Sequence, residues 1–77
     1  MFDRLKNYIN DEAWKINISR NQVDIVNYLD IILLEEEKIL VKYQEGIISI
    51  IGDRLSVNKM LDSEILITGN IRCVEFK

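Results

Sequence analysis

The sequence predicts a mainly β protein: an antiparallel meander of about six to seven strands in one domain, residues 1–77. Three observations carry this. From Trp14 onward β-branched residues dominate and the apolar positions recur with period two, the spacing of a strand with one buried face. Glycines at 46 and 52 fall at the joins between such runs. The chain has no proline and no low-complexity linker that would divide it.

Residues 1–13 stand apart from the β region at 14–77. Phe2, Leu5 and Ile9 recur at spacings of three and four, which permits a short helix over residues 2–13. Asp11 offers the alternative of capping a turn before Trp14. Strands are then expected at about 15–20, 23–27, 30–35, 38–44, 47–51, 54–60 and 63–76.

Side-chain parity tests how these runs connect, because a hairpin must keep its apolar side chains on one face. A turn at Glu36-Glu37 sets Leu34 opposite Ile39, Ile32 opposite Val41, and Glu35 opposite Lys38 as an opposite-charge pair. A turn at Glu45-Gly46 sets Tyr43 opposite Ile48 and Val41 opposite Ile50. A third, at Gly52-Asp53, sets Ile50 opposite Leu55. The expected core row is Ile32–Val41–Ile50–Leu55, with a polar row Lys42–Ser49–Ser56 on the other face. A hairpin at Gly69-Asn70 would pair Ile67 with Arg72 and mix the faces. One long last strand is expected instead, with Gly69 as a bulge or close backbone approach and Ile65, Ile67, Ile71 and Cys73 on one side.

Composition excludes several function classes. Histidine is absent, which removes the commonest general acid/base and the commonest metal ligand. The single cysteine, Cys73, can make neither an internal disulfide nor a zinc cluster, and is expected as a buried thiol. The three glycines are too far apart for a phosphate-binding loop. Glu35-Glu36-Glu37 reads as a solvated turn, since no spaced ligand loop surrounds it. No enzyme activity, metal or cofactor is expected. A net charge of -3 argues against a nucleic-acid partner. "MFDRLKNYIN" has no apolar core of signal-peptide length, and no run approaches the roughly 18 apolar residues of a membrane span. A cytoplasmic protein with a reduced thiol is expected.

The face opposite the core row is not cleanly polar. Leu33, Leu40 and Ile51 line up on it, and on the last strand Leu66, Val74 and Phe76 share the side away from Ile65 and Ile67. A half-exposed antiparallel sheet alternates more strictly than this. These six residues are the candidate partner contacts, with either the N-terminal segment and first strand or another protein, such as a second copy, as the cover. Trp14 either anchors a partner or closes one end of the sheet. A chain of 77 residues buries too little surface for ample stability, and oligomerisation is the helper its composition leaves open. An alternative reading is a small ligand-binding module whose curved sheet encloses a pocket lined by Trp14, Tyr28 and Tyr43.

Residues from about 24 to 76 carry three segments in a familiar order: "IVNYLD", "ILVKYQEGIISIIGDRLSV" and "ILITGNIRCVEF". This stretch resembles the YabP/YqfC family of sporulation proteins, with Gly46, Gly52, Leu55 and Gly69 matching best. The resemblance implies a non-enzymatic role in the mother-cell cytoplasm of a sporulating bacterium. It implies action at the forespore surface, in coat or cortex assembly, through contact with proteins of the sporulation machinery, a membrane protein among the candidates. It carries over no catalytic residue. The acidic "LLEEEK" and Cys73 are departures from the family pattern.

Overall fold

A computed structural model describes residues 13–77. The helix expected over 2–13 lies outside the described residues. Six strands follow in order: β1 (Lys15–Ser19), β2 (Gln22–Val26), β3 (Asp30–Leu34), β4 (Lys38–Tyr43), β5 (Gly46–Met60) and β6 (Glu64–Phe76). All neighbours pair antiparallel in one sheet of order β1-β2-β6-β5-β4-β3. The described residues contain no helix. The all-β antiparallel expectation stands. The simple meander does not, because β6 returns to lie between β2 and β5.

This order forces the sheet to roll. Laid flat, β2 and β3 would lie four strand spacings apart, about 19 Å. Only residues 27–29 join them, and the four steps from Val26 to Asp30 span at most about 14 Å. The two ends of the sheet must therefore curl toward each other. Asn27 takes the left-handed conformation (φ 63°) in this link. Its N–H donates to the Ser63 carbonyl (2.5 Å), while two residues on the Leu29 N–H donates to the Lys42 carbonyl (2.8 Å), so the link bridges the two halves.

The long β5–β6 ribbon supplies the bend. Its register shifts between Ile51 and Gly52 and again between Asp53 and Ser56, and Arg54 has φ 56°. The turn expected at Gly52-Asp53 is not formed. Residues 47–51 and 54–60 belong to one strand, and Gly52 lies opposite Ile71 inside the ladder. A Cβ on Gly52 would collide with the Asn70 carbonyl oxygen, and one on Gly69 would sit 2.7 Å from the Arg54 carbonyl oxygen. The two glycines thus let the backbones of β5 and β6 approach where the ribbon folds, as expected for Gly69 and in place of the turn expected for Gly52. Both short hairpin tips are bonded to this bend. The Gly52 and Leu55 N–H groups donate to the Glu37 and Glu36 carbonyls (3.1 and 2.8 Å), and the Gly69 N–H donates to the Asn21 carbonyl (3.0 Å). Backbone donors that bulges would strand are satisfied in this way.

The core lies between the halves. Val23, Ile25, Ile65 and Ile67 come from one half and Ile39, Val41, Tyr43, Ile48 and Ile50 from the other, with Leu55 at the bend. Nearly all are β-branched or aromatic, the side chains that suit a pleated surface. The β4–β5 hairpin turns at Gln44-Glu45, so Tyr43 is opposite Gly46, Val41 opposite Ile48 and Ile39 opposite Ile50. The expected register was two residues away. A slip of two preserves the faces, so the buried set is unchanged, with Gly46 opening β5 rather than lying in the turn. In β3 a bulge between Ile31 and Leu33 places Ile31, not Ile32, opposite Val41. Ile32 is 48% exposed and leaves the expected core row. The polar row is also redrawn: Ser49 faces Leu40, Lys42 faces Ile47, and Ser56 faces Thr68.

Candidate interaction surface

The outer face of the β3–β4–β5 half gathers part of the sequence-predicted contact set. Leu33 is opposite Leu40, Leu40 opposite Ser49, and Ile51 opposite both Lys38 and Cys73. Ile47 lies on the same face, opposite Lys42. Leu33, Leu40, Ile47 and Ile51 are half-buried and form an apolar strip bordered by Lys38, Lys42 and Glu75. Ser49 sits within it, 1% exposed, and its hydroxyl finds no hydrogen-bond partner among the described residues.

The other predicted contacts lie elsewhere. Leu66 is on the outer face of the opposite half, between Asp24 and Lys59. Val74 and Phe76 turn inward, which corrects their expected side. Cys73 pairs with Ile51 and Ile71 with Gly52, so Arg72 is an extra residue in β6 and reverses the alternation beyond it. Val74 then faces Ile50 and packs against the core, and Phe76 faces Ile48. By the same reversal Cys73 lies outside, half-buried with a free thiol, rather than among the core isoleucines.

Trp14 closes the open end of the rolled sheet. Its ring meets Tyr43 edge-to-face at 4.8 Å, and the Phe76 ring lies 6.1 Å from both. The three aromatics fill this end by touching one another, where the ligand-binding alternative would have Trp14 and Tyr43 line an opening. The Tyr28 hydroxyl donates to the Leu61 carbonyl (3.3 Å). Two surface hollows lie at the bend, one walled by Glu36, Glu37, Asp53, Arg54 and Asn70 and the other by Lys38, Ile51, Arg72 and Cys73. Asp53 and Arg72 form an exposed ion pair there (3.2 Å). Among the described residues no group of three or more acidic or thiol side chains is placed to hold a metal ion. No helix among them is long and apolar enough to cross a membrane.

Among the described residues the rolled sheet also has two unpaired edges, β1 and β3. Sequence reasoning did not identify β3 as an edge. Ile18 on β1 and Ile32 and Leu34 on β3 are about half exposed, which only the strand order reveals.

The family model described as the YabP family matches residues 12–77. This chain belongs to the YabP family. The match takes in every strand of the fold, a longer stretch than the resemblance read from residues 24 to 76. The family segments fall on defined parts of the structure: "IVNYLD" spans the positive-φ link at Asn27, and "ILITGNIRCVEF" is the bent β6 with Gly69 at its fold. Comparison with curated proteins and with solved structures gives no significant match.

Proposed function

We propose that this YabP-family protein is a non-enzymatic protein of endospore formation that acts in assembly of the spore envelope, coat or cortex, through protein–protein contacts of its β-sheet. The family match over residues 12–77 carries the reading, with the sporulation role implied by the family resemblance. The shape of the molecule supports it. Its apolar side chains form a strip around Leu33, Leu40 and Ile51 and two half-exposed edges. Surfaces of that kind suit contact with another sheet or an apolar protein face. The proposed place of action is the mother-cell cytoplasm at the forespore surface, with proteins of the sporulation machinery as partners.

An in-frame deletion in the organism that encodes the chain tests this, scored by heat- and lysozyme-resistant spores, together with a fluorescent fusion followed through development. The expected result is at least a tenfold fall in resistant spores and a fusion that encircles the forespore. Normal spores, with a fusion spread evenly through vegetative cells, would overturn the reading.

A further inference from the structure

We propose that copies of this chain join head to tail by pairing the β1 edge of one with the β3 edge of the next, extending the sheet from molecule to molecule. The inference rests on the reading that the sheet surface is the working part of the protein, and it names the partner as a second copy. Four observations carry it.

Strand direction comes first. All five pairings are antiparallel across the order β1-β2-β6-β5-β4-β3, so β1 and β3 run in opposite directions. One copy set beside another without turning over therefore places β3 antiparallel to β1.

Hydrogen-bond phase comes second. The β1–β2 hairpin closes on Arg20-Asn21 with Ser19 opposite Gln22. Residues flanking a two-residue turn exchange their hydrogen bonds with each other, and the exchange then skips every second residue. Ser19, Asn17 and Lys15 thus bond to β2, and Ile18 and Ile16 aim their backbone groups outward. On β3 the Glu35 N–H donates to the Lys38 carbonyl (2.9 Å), so Leu34 is the residue whose backbone groups face out. Pairing Ile16 with Leu34 joins two outward-facing residues.

Side chains in that register come third. Ile16 lies opposite Ile25, and Leu34 opposite Ile39, so both occupy the core side of their sheets. Ile18 (51% exposed) comes opposite Ile32 (48% exposed), and Leu34 itself is 53% exposed. Apolar area that each copy leaves open is covered by the next.

Charge comes fourth. The same register sets Lys15 against Glu35, and Arg20, in the turn just after β1, against Asp30, where β3 begins. The edge of β3 carries Asp30, Glu35 and Glu36 in sequence around it, and that of β1 carries Lys15 and Arg20. Pairing β3 with β3, Ile32 against Leu34, would oppose Asp30 to Glu36, which is unfavourable, and pairing β1 with β1, Ile16 against Ile18, sets Lys15 against Ser19 and gains no ion pair. The unlike pairing is heterologous, so it propagates into a ring or filament rather than stopping at a dimer.

Sedimentation velocity over a range of concentrations tests this with two edge-blocked variants, Ile18→Lys and Leu34→Lys, each checked for native circular dichroism. The wild type is expected to grow with concentration, and each variant alone to remain monomeric. Mixed, they should form a 1:1 dimer and stop, because one retains a working β3 and the other a working β1. If lysine unfolds either chain, charge reversal at exposed positions replaces it: K15E and E35K should each weaken assembly about two- to fivefold, and the double variant should restore it. A wild type monomeric at every concentration, a single blocked variant that assembles like wild type, or a mixture that stays monomeric while the wild type grows would each overturn the proposal. A monomeric protein whose deletion still abolishes resistant spores would overturn the edge pairing and leave the functional reading standing.

Discussion

Replacing Gly69 by alanine probes the bend on which the rolled sheet depends. Gly69 has φ 139°, a backbone conformation that side-chain-bearing residues rarely adopt. Holding alanine there costs about 1–3 kcal/mol. The added Cβ would also lie 2.7 Å from the Arg54 carbonyl oxygen and 3.0 Å from the Leu55 Cα. Both are backbone atoms of β5, and the Leu55 N–H is itself tied to the Glu36 carbonyl, so neither can swing aside as a side chain would. Forcing them apart costs about 1–3 kcal/mol, by comparison with overpacked cores. Alanine returns about 0.4–1 kcal/mol by restricting the unfolded chain. The net expected loss is roughly 1–5 kcal/mol, against a total of about 4–12 kcal/mol for a chain of 77 residues. Urea unfolding at low protein concentration, followed by circular dichroism, measures it. With a slope near 1 kcal/mol/M, the midpoint should fall by about 1–5 M, and toward the upper end the chain is unfolded in buffer. Asn70→Ala, at an exposed neighbour, should change stability by no more than about 0.5 kcal/mol. A Gly69→Ala variant within about 0.5 kcal/mol of wild type would refute the close approach of the two strands.

The remaining predictions concern packing. Ser49→Ala should leave stability unchanged or raise it by about 1 kcal/mol in the same assay, because the buried hydroxyl has no partner among the described residues; a loss above about 1 kcal/mol would show that the hydroxyl is bonded after all. Ile50→Ala should cost about 2–5 kcal/mol, since its fully buried side chain lies between Ile39 and Val74 at the centre of the core; a smaller loss would place it outside the tightly packed region.

Parity made most of the buried set legible in the sequence. Ile39, Val41, Tyr43, Ile48 and Ile50 share one side of their strands under any register that slips by two, so the misplaced β4–β5 turn left the core intact. What parity cannot see is a single extra residue. Each bulge inserts one, and beyond it every side chain changes face. The bulge at Ile32 moved Ile31 into contact with Val41, and the one at Arg72 turned Val74 and Phe76 inward and Cys73 outward. Nothing in the local sequence separates these positions from ordinary strand residues, because the bend that requires the bulges is set by how the two halves close over the core. One signal was read at Gly69, kept inside a continuous strand, and misread at Gly52, which was given to a turn. Gly52-Asp53 and Gly69-Asn70 each resemble a hairpin turn, yet Asp53 is opposite Asn70 in the β5–β6 ladder. Two such dipeptides placed symmetrically about the real turn mark a fold in a ribbon. The surface strip was half legible: Leu33, Leu40 and Ile51 were grouped correctly because no bulge separates Leu40 from Leu33 or Ile51 from its neighbours on β4. The β3 edge was invisible, since it depends on β6 inserting between β2 and β5, whereas the expected meander also left β1 at an edge.

The central claim is that this protein works through the surface of its sheet and needs the fold chiefly to present that surface. Expression of the Leu40→Lys/Ile51→Lys variant in the deletion strain tests it most directly, with thermal unfolding of the purified variant alongside. Both positions are half-buried on the outer face, where a lysine can carry its charge into solvent while its stem lies along the sheet. The account predicts a folded protein, melting within a few degrees of wild type, that neither encircles the forespore nor restores resistant spores. A folded variant that restores both would contradict it.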